Sequence, residues 1–219
     1  MELFKSAKDA DIGSISKLLK HSLSFISPEQ YIEKLSYPEP SIRAIAVYGL
    51  GVLKRKSNLQ YIINTLRNDE NDIVRTSAII ALTFFEKPDI LDRVQFSLYD
   101  ESDIVRLAAI DLFTRNKYYP AKEKIAKTLK DDNSTVVMFA LDYIDALKLK
   151  EYKSQVFELL DDYNPIIIQN AIATLITLEA DEYKDNILSR FMNDVNPLVK
   201  MAVDWLKEGI HIKRDINKF

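Results

Sequence analysis

The sequence predicts an all-α fold, a right-handed α-solenoid (superhelix) of about six helical hairpins preceded by an N-terminal capping helix pair. Apolar residues recur with a period of 31 residues over most of the 219-residue chain, and within each period they are spaced as on one face of a helix. The chain also has only 4 glycines, which is few for a loop-rich enzyme. Because a hairpin of two short helices cannot bury its apolar face alone, neighbouring hairpins are expected to stack and share one core.

The second helix of each hairpin, helix B, is marked by a small residue between two larger apolar ones at four-residue spacing. This pattern is typical of a helix that is pressed closely against a neighbour. The central residues are Ala46, Ala78, Ala109, Ala140, Ala171 and Ala202. The first helix, helix A, carries one large apolar residue near its end and another four positions earlier. The residues near its end are Leu35, Leu66, Leu98, Leu129, Leu160 and Phe191.

Short turns rich in Asp and Asn separate helix A from helix B, and their side chains are expected to cap helix B. Ser27 and Gln30 form a capping-box pattern at the start of the first repeat. We therefore predict a single domain over 1–219, with a helical cap at 1–26, six repeats over 27–210 and a polar tail at 211–219. The six repeats are expected at 27–57, 58–89, 90–120, 121–151, 152–182 and 183–210.

Composition limits the chemistry that the chain can perform. The chain has no cysteine, which excludes disulfides, thiolate metal sites and a cysteine nucleophile, and which suits a reducing compartment. Its two histidines, His21 and His211, are expected at opposite ends of the solenoid. No apolar run approaches the length of a membrane span. We expect a cytoplasmic protein with no catalytic residue, cofactor or metal site and no membrane partner.

Residues 72–82 and 103–113 resemble the signature of HEAT repeats, specifically the short HEAT-like repeats named after phycobilisome lyases. The resemblance covers about residues 27–210, and it implies a solenoid whose relatives serve as scaffolds, adaptors, regulatory subunits and a few enzymes. Two features depart from the family pattern. The Gly-Asp that usually closes helix B is missing, and the signature arginine is present only as Arg43, Arg75 and Arg106. We expect these three to form a structural ladder of ion pairs between repeats.

The concave wall of the solenoid is the candidate binding surface. Positions two before and two after each central alanine point about 200° away from it, and therefore outward along this wall. Carboxylates and apolar side chains alternate there. From these positions the candidate groove takes Leu107, Asp111, Met138, Asp142 and Asp204. One further helical turn adds Asp145, and Tyr143 and Trp205 are expected to flank the groove. Two alternatives to a binding role stay open. The acidic residues can be solvent-exposed positions without a partner, and Trp205 can be a buried residue that covers the end of the last hairpin.

The first functional hypothesis is a non-enzymatic scaffold or adaptor that binds a basic or amphipathic segment of another protein on its concave face. Gly49 and Gly51 resemble the start of a phosphate loop, but they follow no strand and are better explained as small residues where two helices touch. The alternative from another class is an accessory lyase-like or other enzyme of the HEAT-like family. Nucleic-acid binding is less favoured, because the net charge is -3 and the groove is acidic.

Overall fold

The computed structural model describes residues 27–85 and 88–209, and these residues form α-helices, short 3₁₀ turns and loops without any strand. The predicted cap at 1–26 and the predicted tail at 211–219 lie outside the described residues. The chain divides into two compact units between Ser97 and Leu98. The single domain over 1–219 stays a prediction.

Within residues 27–85 and 88–97, unit 1 contains two helical hairpins and the first helix of a third. Helix α2 packs against α4, α1 packs against α2, and α3 packs against both α2 and α4. The five helices are α1 (Pro28–Lys34), α2 (Pro40–Val52), α3 (Leu59–Asn68), α4 (Asp72–Leu82) and α5 (Pro88–Val94). Helices α2 and α4 are B helices, and α1, α3 and α5 are A helices.

Within residues 98–209, unit 2 contains a B helix followed by three complete hairpins. The B helices α6, α8, α10 and α12 form one layer in which each packs against the next, and the A helices α7, α9 and α11 each pack against the B helix that follows them. The seven helices are α6 (Asp103–Arg115), α7 (Lys122–Lys127), α8 (Ser134–Ala146), α9 (Lys153–Glu158), α10 (Pro165–Thr177), α11 (Lys184–Phe191) and α12 (Pro197–Glu208). The stacked hairpins in each unit confirm the predicted all-α repeat architecture.

The turns before α4, α8, α10 and α12 cap these B helices, as predicted. Before α6 the prediction is not met, because the N-cap residue Ser102 makes no side-chain cap hydrogen bond. Before α4, the Asn71 side chain accepts hydrogen bonds from the backbone N–H groups of Ile73 (3.0 Å) and Val74 (3.4 Å). The Asp69 carboxylate in turn accepts the N–H of Asn71 at 3.0 Å. The same two kinds of hydrogen bond recur before α8, α10 and α12, so each of these turns is held by its own side chains.

The six central alanines of the B helices are completely buried, as their spacing predicts. The close approach is tightest in unit 1, at the two glycines of α2. A Cβ atom on Gly51 would lie 2.7 Å from the backbone of Ala81 in α4, and one on Gly49 would lie 2.3 Å from the Tyr31 ring. The interpretation of Gly49 and Gly51 as helix-contact residues is therefore confirmed.

Four of the B helices, α2, α6, α8 and α10, are followed by a non-glycine residue in the left-handed conformation, where the family pattern has glycine. After α6 this residue is Lys117, with φ of 47°, and after α8 it is Lys148, with φ of 52°. The N–H of Lys117 bonds to the carbonyl of Thr114 and that of Tyr118 to the carbonyl of Phe113, both at 3.0 Å. This is a Schellman closure, which favours glycine because a side chain in the left-handed region costs about 1–2 kcal/mol.

Lys117→Gly is expected to raise the free energy of unfolding by about 0.5–1 kcal/mol, because relief of the left-handed strain exceeds the added backbone entropy of the unfolded chain. Lys117 is exposed and makes no ion pair within the described ranges, so the substitution removes no tertiary contact. Urea denaturation measures the effect. Lys117→Ala is the control, since alanine keeps the same strain and should give no gain. An equal gain in both variants would show that the side chain, and not the backbone, limits stability.

Candidate functional site

Four of the predicted groove residues come together on the solvent side of two neighbouring B helices in unit 2. Leu107 and Asp111 lie on α6, and Met138 and Asp142 occupy the equivalent positions on α8, which packs directly against α6. All four are partly exposed. We call this surface the α6–α8 face. It places two apolar side chains at one level and two carboxylates one helical turn further along.

The carboxylate of Asp111 is already engaged within its own helix. The Arg115 Nε donates to both Asp111 oxygens, at 2.9 and 2.7 Å, and both side chains are more than a third exposed. An exposed ion pair at i,i+4 spacing contributes only about 0.3–0.5 kcal/mol. A basic group from outside can therefore replace Arg115 at little cost.

Tyr143 was expected to flank the groove, and this placement is wrong. Its side chain is completely buried, and its hydroxyl donates a 2.6 Å hydrogen bond to the backbone carbonyl of Tyr118. Burial raises the pKa of this phenol well above its ordinary value. The reason is angular: Tyr143 follows the central alanine of α8 by three residues, which puts it only about 60° away from that buried alanine. Tyr143 therefore belongs to the core.

Asp145 was also expected on the wall, but it is only 6% exposed. Its carboxylate forms an ion pair with Lys148, with Oδ1 3.0 Å from Nζ. Asp145 therefore stabilises the end of α8 and presents no free carboxylate to a partner.

Asp204 and Trp205 lie on α12, which packs against α10 and is separated from the α6–α8 face by that helix. Both are half-buried, and the Asp204 carboxylate lies 3.4 Å from Lys207 Nζ. The structure therefore does not bring these two residues next to the other predicted groove residues.

The arginines of the predicted ladder hold the turns between helices. Arg43 forms a bidentate pair with Asp69, at 2.8 and 2.9 Å, and its Nη1 donates to two carbonyls of its own turn. Arg106 repeats the arrangement with Asp131, at 2.7 Å for both bonds. Arg75 donates to the backbone carbonyls of Asp69 and Glu70. Arg43 and Arg106 thus join the turn before one B helix to the turn before the next, within unit 1 and unit 2 respectively.

A second set of ion pairs, which the sequence analysis missed, joins A helices of unit 2. Lys122 Nζ lies 2.9 Å from Glu151, and the equivalent Lys153 lies 3.0 Å from Glu182. The hydrogen bond from Lys122 is the main reason why the pKa of Glu151 is lowered. The sequence contains a pattern that indicates these pairs, because the two lysines and the two glutamates each recur 31 residues apart, like the apolar residues of the repeat.

Two kinds of feature are absent from the part of the chain that the structure describes. Within residues 27–85 and 88–209, no group of three or more His, Asp or Glu side chains is placed to hold a metal ion. In the same ranges no helix has both the length and the apolar character needed to cross a bilayer.

The comparisons with known proteins agree with this architecture. Residues 28–114 match the family model for HEAT repeats. No curated protein matches the sequence significantly. The Escherichia coli protein YibA is 21% identical in sequence, with a TM-score of 0.61 over 94% of this chain and 91% of that one.

Two further structures are similar in fold. The complex of CpcE and CpcF of phycocyanin lyase from Nostoc has a TM-score of 0.57 at 17% identity, over 81% of this chain and 74% of that one. A designed armadillo repeat protein in complex with the peptide (KR)4 has a TM-score of 0.54 at 16% identity, over 84% of this chain and 99% of the designed one. These likenesses confirm the predicted α-solenoid class. The match to the HEAT-repeat model is limited to residues 28–114.

Proposed function

We propose that the protein is a non-enzymatic, cytoplasmic interaction scaffold whose α6–α8 face binds a basic, amphipathic segment of another protein. HEAT and armadillo solenoids are a fold commonly used for protein interaction, and this is the general part of the proposal. The choice of the α6–α8 face rests on one observation. Leu107 and Met138, and likewise Asp111 and Asp142, occupy equivalent positions on two helices that pack against each other.

The two levels of the face suit two kinds of side chain on the partner. Leu107 and Met138 offer partly exposed apolar surface, and the flexible Met138 thioether can adapt to different shapes. Asp111 and Asp142 attract Lys or Arg, and such complementarity raises the association rate and selects against acidic partners. A segment with apolar residues on one side and basic residues on the other therefore matches the face.

The likeness to the designed armadillo repeat protein supports the basic character of the partner. That protein is seen in complex with the alternating Lys-Arg peptide (KR)4. Its identity to this chain is only 16%, so the similarity concerns the stacked-helix scaffold. The acids of the α6–α8 face carry the argument for this chain.

Asp111→Lys combined with Asp142→Lys is expected to weaken binding of a Lys/Leu amphipathic helical peptide by more than tenfold at low salt, because two attractive charges become repulsive. Fluorescence anisotropy with the labelled peptide measures the dissociation constant at low and high ionic strength. The difference between the parent and the double variant should shrink at high salt, where charges on the surface are screened. The (KR)4 peptide is a second probe that lacks apolar side chains, and it should bind less tightly than the amphipathic one.

The matched control is Glu123→Lys with Glu158→Lys, which changes the net charge equally but places both substitutions on the A helices α7 and α9, where both glutamates are exposed. This variant should bind the amphipathic peptide as tightly as the parent. If the two double variants lose affinity equally, net charge and not the α6–α8 face controls binding. If neither loses affinity, the proposed surface is wrong.

A further inference from the structure

A pocket on the A-helix side of unit 1 has the opposite electrostatic character to the α6–α8 face. It has a volume of about 300 Å³ and lies between α3 and α5. The lining residues are Gln60, Ile63, Asn64, Arg67 and Arg93. Ile63 is buried, while the other four are polar and exposed. We call it the two-arginine pocket.

The two guanidinium groups are held in place without losing their capacity to donate hydrogen bonds. The Arg67 guanidinium carbon lies 4.5 Å from the centre of the Phe96 ring. A cation–π contact uses the face of the guanidinium and leaves the N–H groups at its edge available. Arg93 donates one Nη2 hydrogen bond to Gln60 Oε1 at 3.1 Å, which leaves the other donors of its fork available.

Neither arginine has a carboxylate partner in the part of the chain that the structure describes. Within residues 27–85 and 88–209, Arg67 and Arg93 form no ion pair, and no Asp or Glu is among the residues that line the pocket. Asp92 on α5 accepts a hydrogen bond from Gln95, and Asp89 on the same helix does not line the pocket. In contrast, Arg43, Arg106 and Arg190 are each paired with an aspartate.

We propose that the two-arginine pocket binds a phosphomonoester dianion. Two guanidinium groups balance the charge of the dianion, and their planar forks match the geometry of phosphate oxygens. The amide groups of Gln60 and Asn64 supply further donors at the rim. The phosphomonoester can belong to a phosphorylated side chain of a protein or to a free phosphorylated small molecule, and the experiment separates these sources.

The test is a ¹H–¹⁵N NMR titration of the full chain that follows the Nε–H signals of the arginines. The probes are inorganic phosphate, a phosphoserine peptide, the same peptide without phosphate, and acetate. We expect the Arg67 and Arg93 signals to shift with both phosphate probes. The affinity for acetate should be at least tenfold lower than the affinity for phosphate. Affinity should also fall between pH 7 and pH 5, because the second pKa of a phosphomonoester is about 6 and the dianion is lost.

Two substitutions and a control assign the binding to the pocket. Arg67→Gln and Arg93→Gln should each weaken phosphate binding at least tenfold, the effect of losing a charge-assisted hydrogen-bond pair. Arg190→Gln is the control. Arg190 is also in the last turn of an A helix, α11, and its guanidinium lies over the Phe191 ring, but it is paired with Asp161 at 2.6 Å. Its loss should leave phosphate affinity unchanged.

The outcomes are distinct. A phosphoserine peptide that binds more tightly than inorganic phosphate assigns the site to a phosphorylated protein segment, and equal affinities assign it to a small phosphorylated molecule. Equal affinity for acetate and phosphate overturns the proposal, as does an equal loss of affinity in the Arg190→Gln variant. Absence of any shift at Arg67 and Arg93 overturns it as well.

Discussion

Arg106→Leu is expected to lower the free energy of unfolding by about 3 kcal/mol, the lower end of the range for removing one partner from a buried ion pair. The substitution leaves the Asp131 carboxylate, whose side chain is only 10% exposed, without its bidentate donor. It also removes the Nη1 donor from the backbone carbonyls of Asp100 and Glu101. Chemical denaturation followed by circular dichroism measures the loss.

Arg115→Leu is the matched control, because Arg115 lies on the same helix and also pairs with an aspartate. Its pair with Asp111 is exposed and lies within one helix, so its loss should cost no more than about 0.5 kcal/mol. A double-mutant cycle of Arg106→Leu with Asp131→Leu should show strong coupling, since the second substitution removes the stranded carboxylate. Equal losses in the Arg106 and Arg115 variants would contradict a structural role for the ladder.

The local features of the fold follow from short spacings in the sequence. The buried alanine columns, the capping box of Ser27 and Gln30, and the Asn caps all depend on residues within a few positions of each other. Such patterns are determined by helix geometry and by the free backbone groups at helix ends. They could therefore be predicted without knowledge of how the helices pack.

Features that depend on packing between helices were predicted less well. Tyr143 is aromatic and close to the acids in sequence, yet its position around the helix axis places it in the core. Asp145 points outward by its angle, yet it is only 6% exposed and its carboxylate pairs with Lys148. Helical periodicity gives the direction of a side chain around the axis, whereas burial also depends on how closely neighbouring groups approach.

The two-arginine pocket illustrates the same limit. Arg67 and Arg93 lie on different A helices, and no short-range pattern connects them. Their relevance follows from two structural facts, which are that they line one pocket and that neither has a carboxylate partner in the described ranges. The net charge of the chain is negative, and it gives no reason to expect a site for an anion.

Gly51→Ala is expected to lower the free energy of unfolding by about 2 kcal/mol, although alanine is intrinsically the better helix former by about 1 kcal/mol. The new Cβ would lie 2.7 Å from the Cα, Cβ and O atoms of Ala81. Since these atoms belong to the α4 helix and its shortest side chain, no rotamer change can relieve the clash, and α2 and α4 must separate. Thermal or urea denaturation measures the loss.

Gly49→Ala is the control, because its clash, unlike that of Gly51→Ala, can be relieved by a second substitution. Its Cβ would meet the Tyr31 ring, at 2.3 Å from Cζ, and this ring is a side chain that can be shortened. Tyr31→Leu should therefore recover part of the stability lost in Gly49→Ala, while the same substitution should recover nothing in Gly51→Ala. If Gly51→Ala is as stable as the parent, α2 and α4 do not approach as closely as the structure has them, and the small residues of this column are not contact residues. If Tyr31→Leu rescues both variants, the clash at Gly51 is with the α1 side chain and not with the α4 backbone.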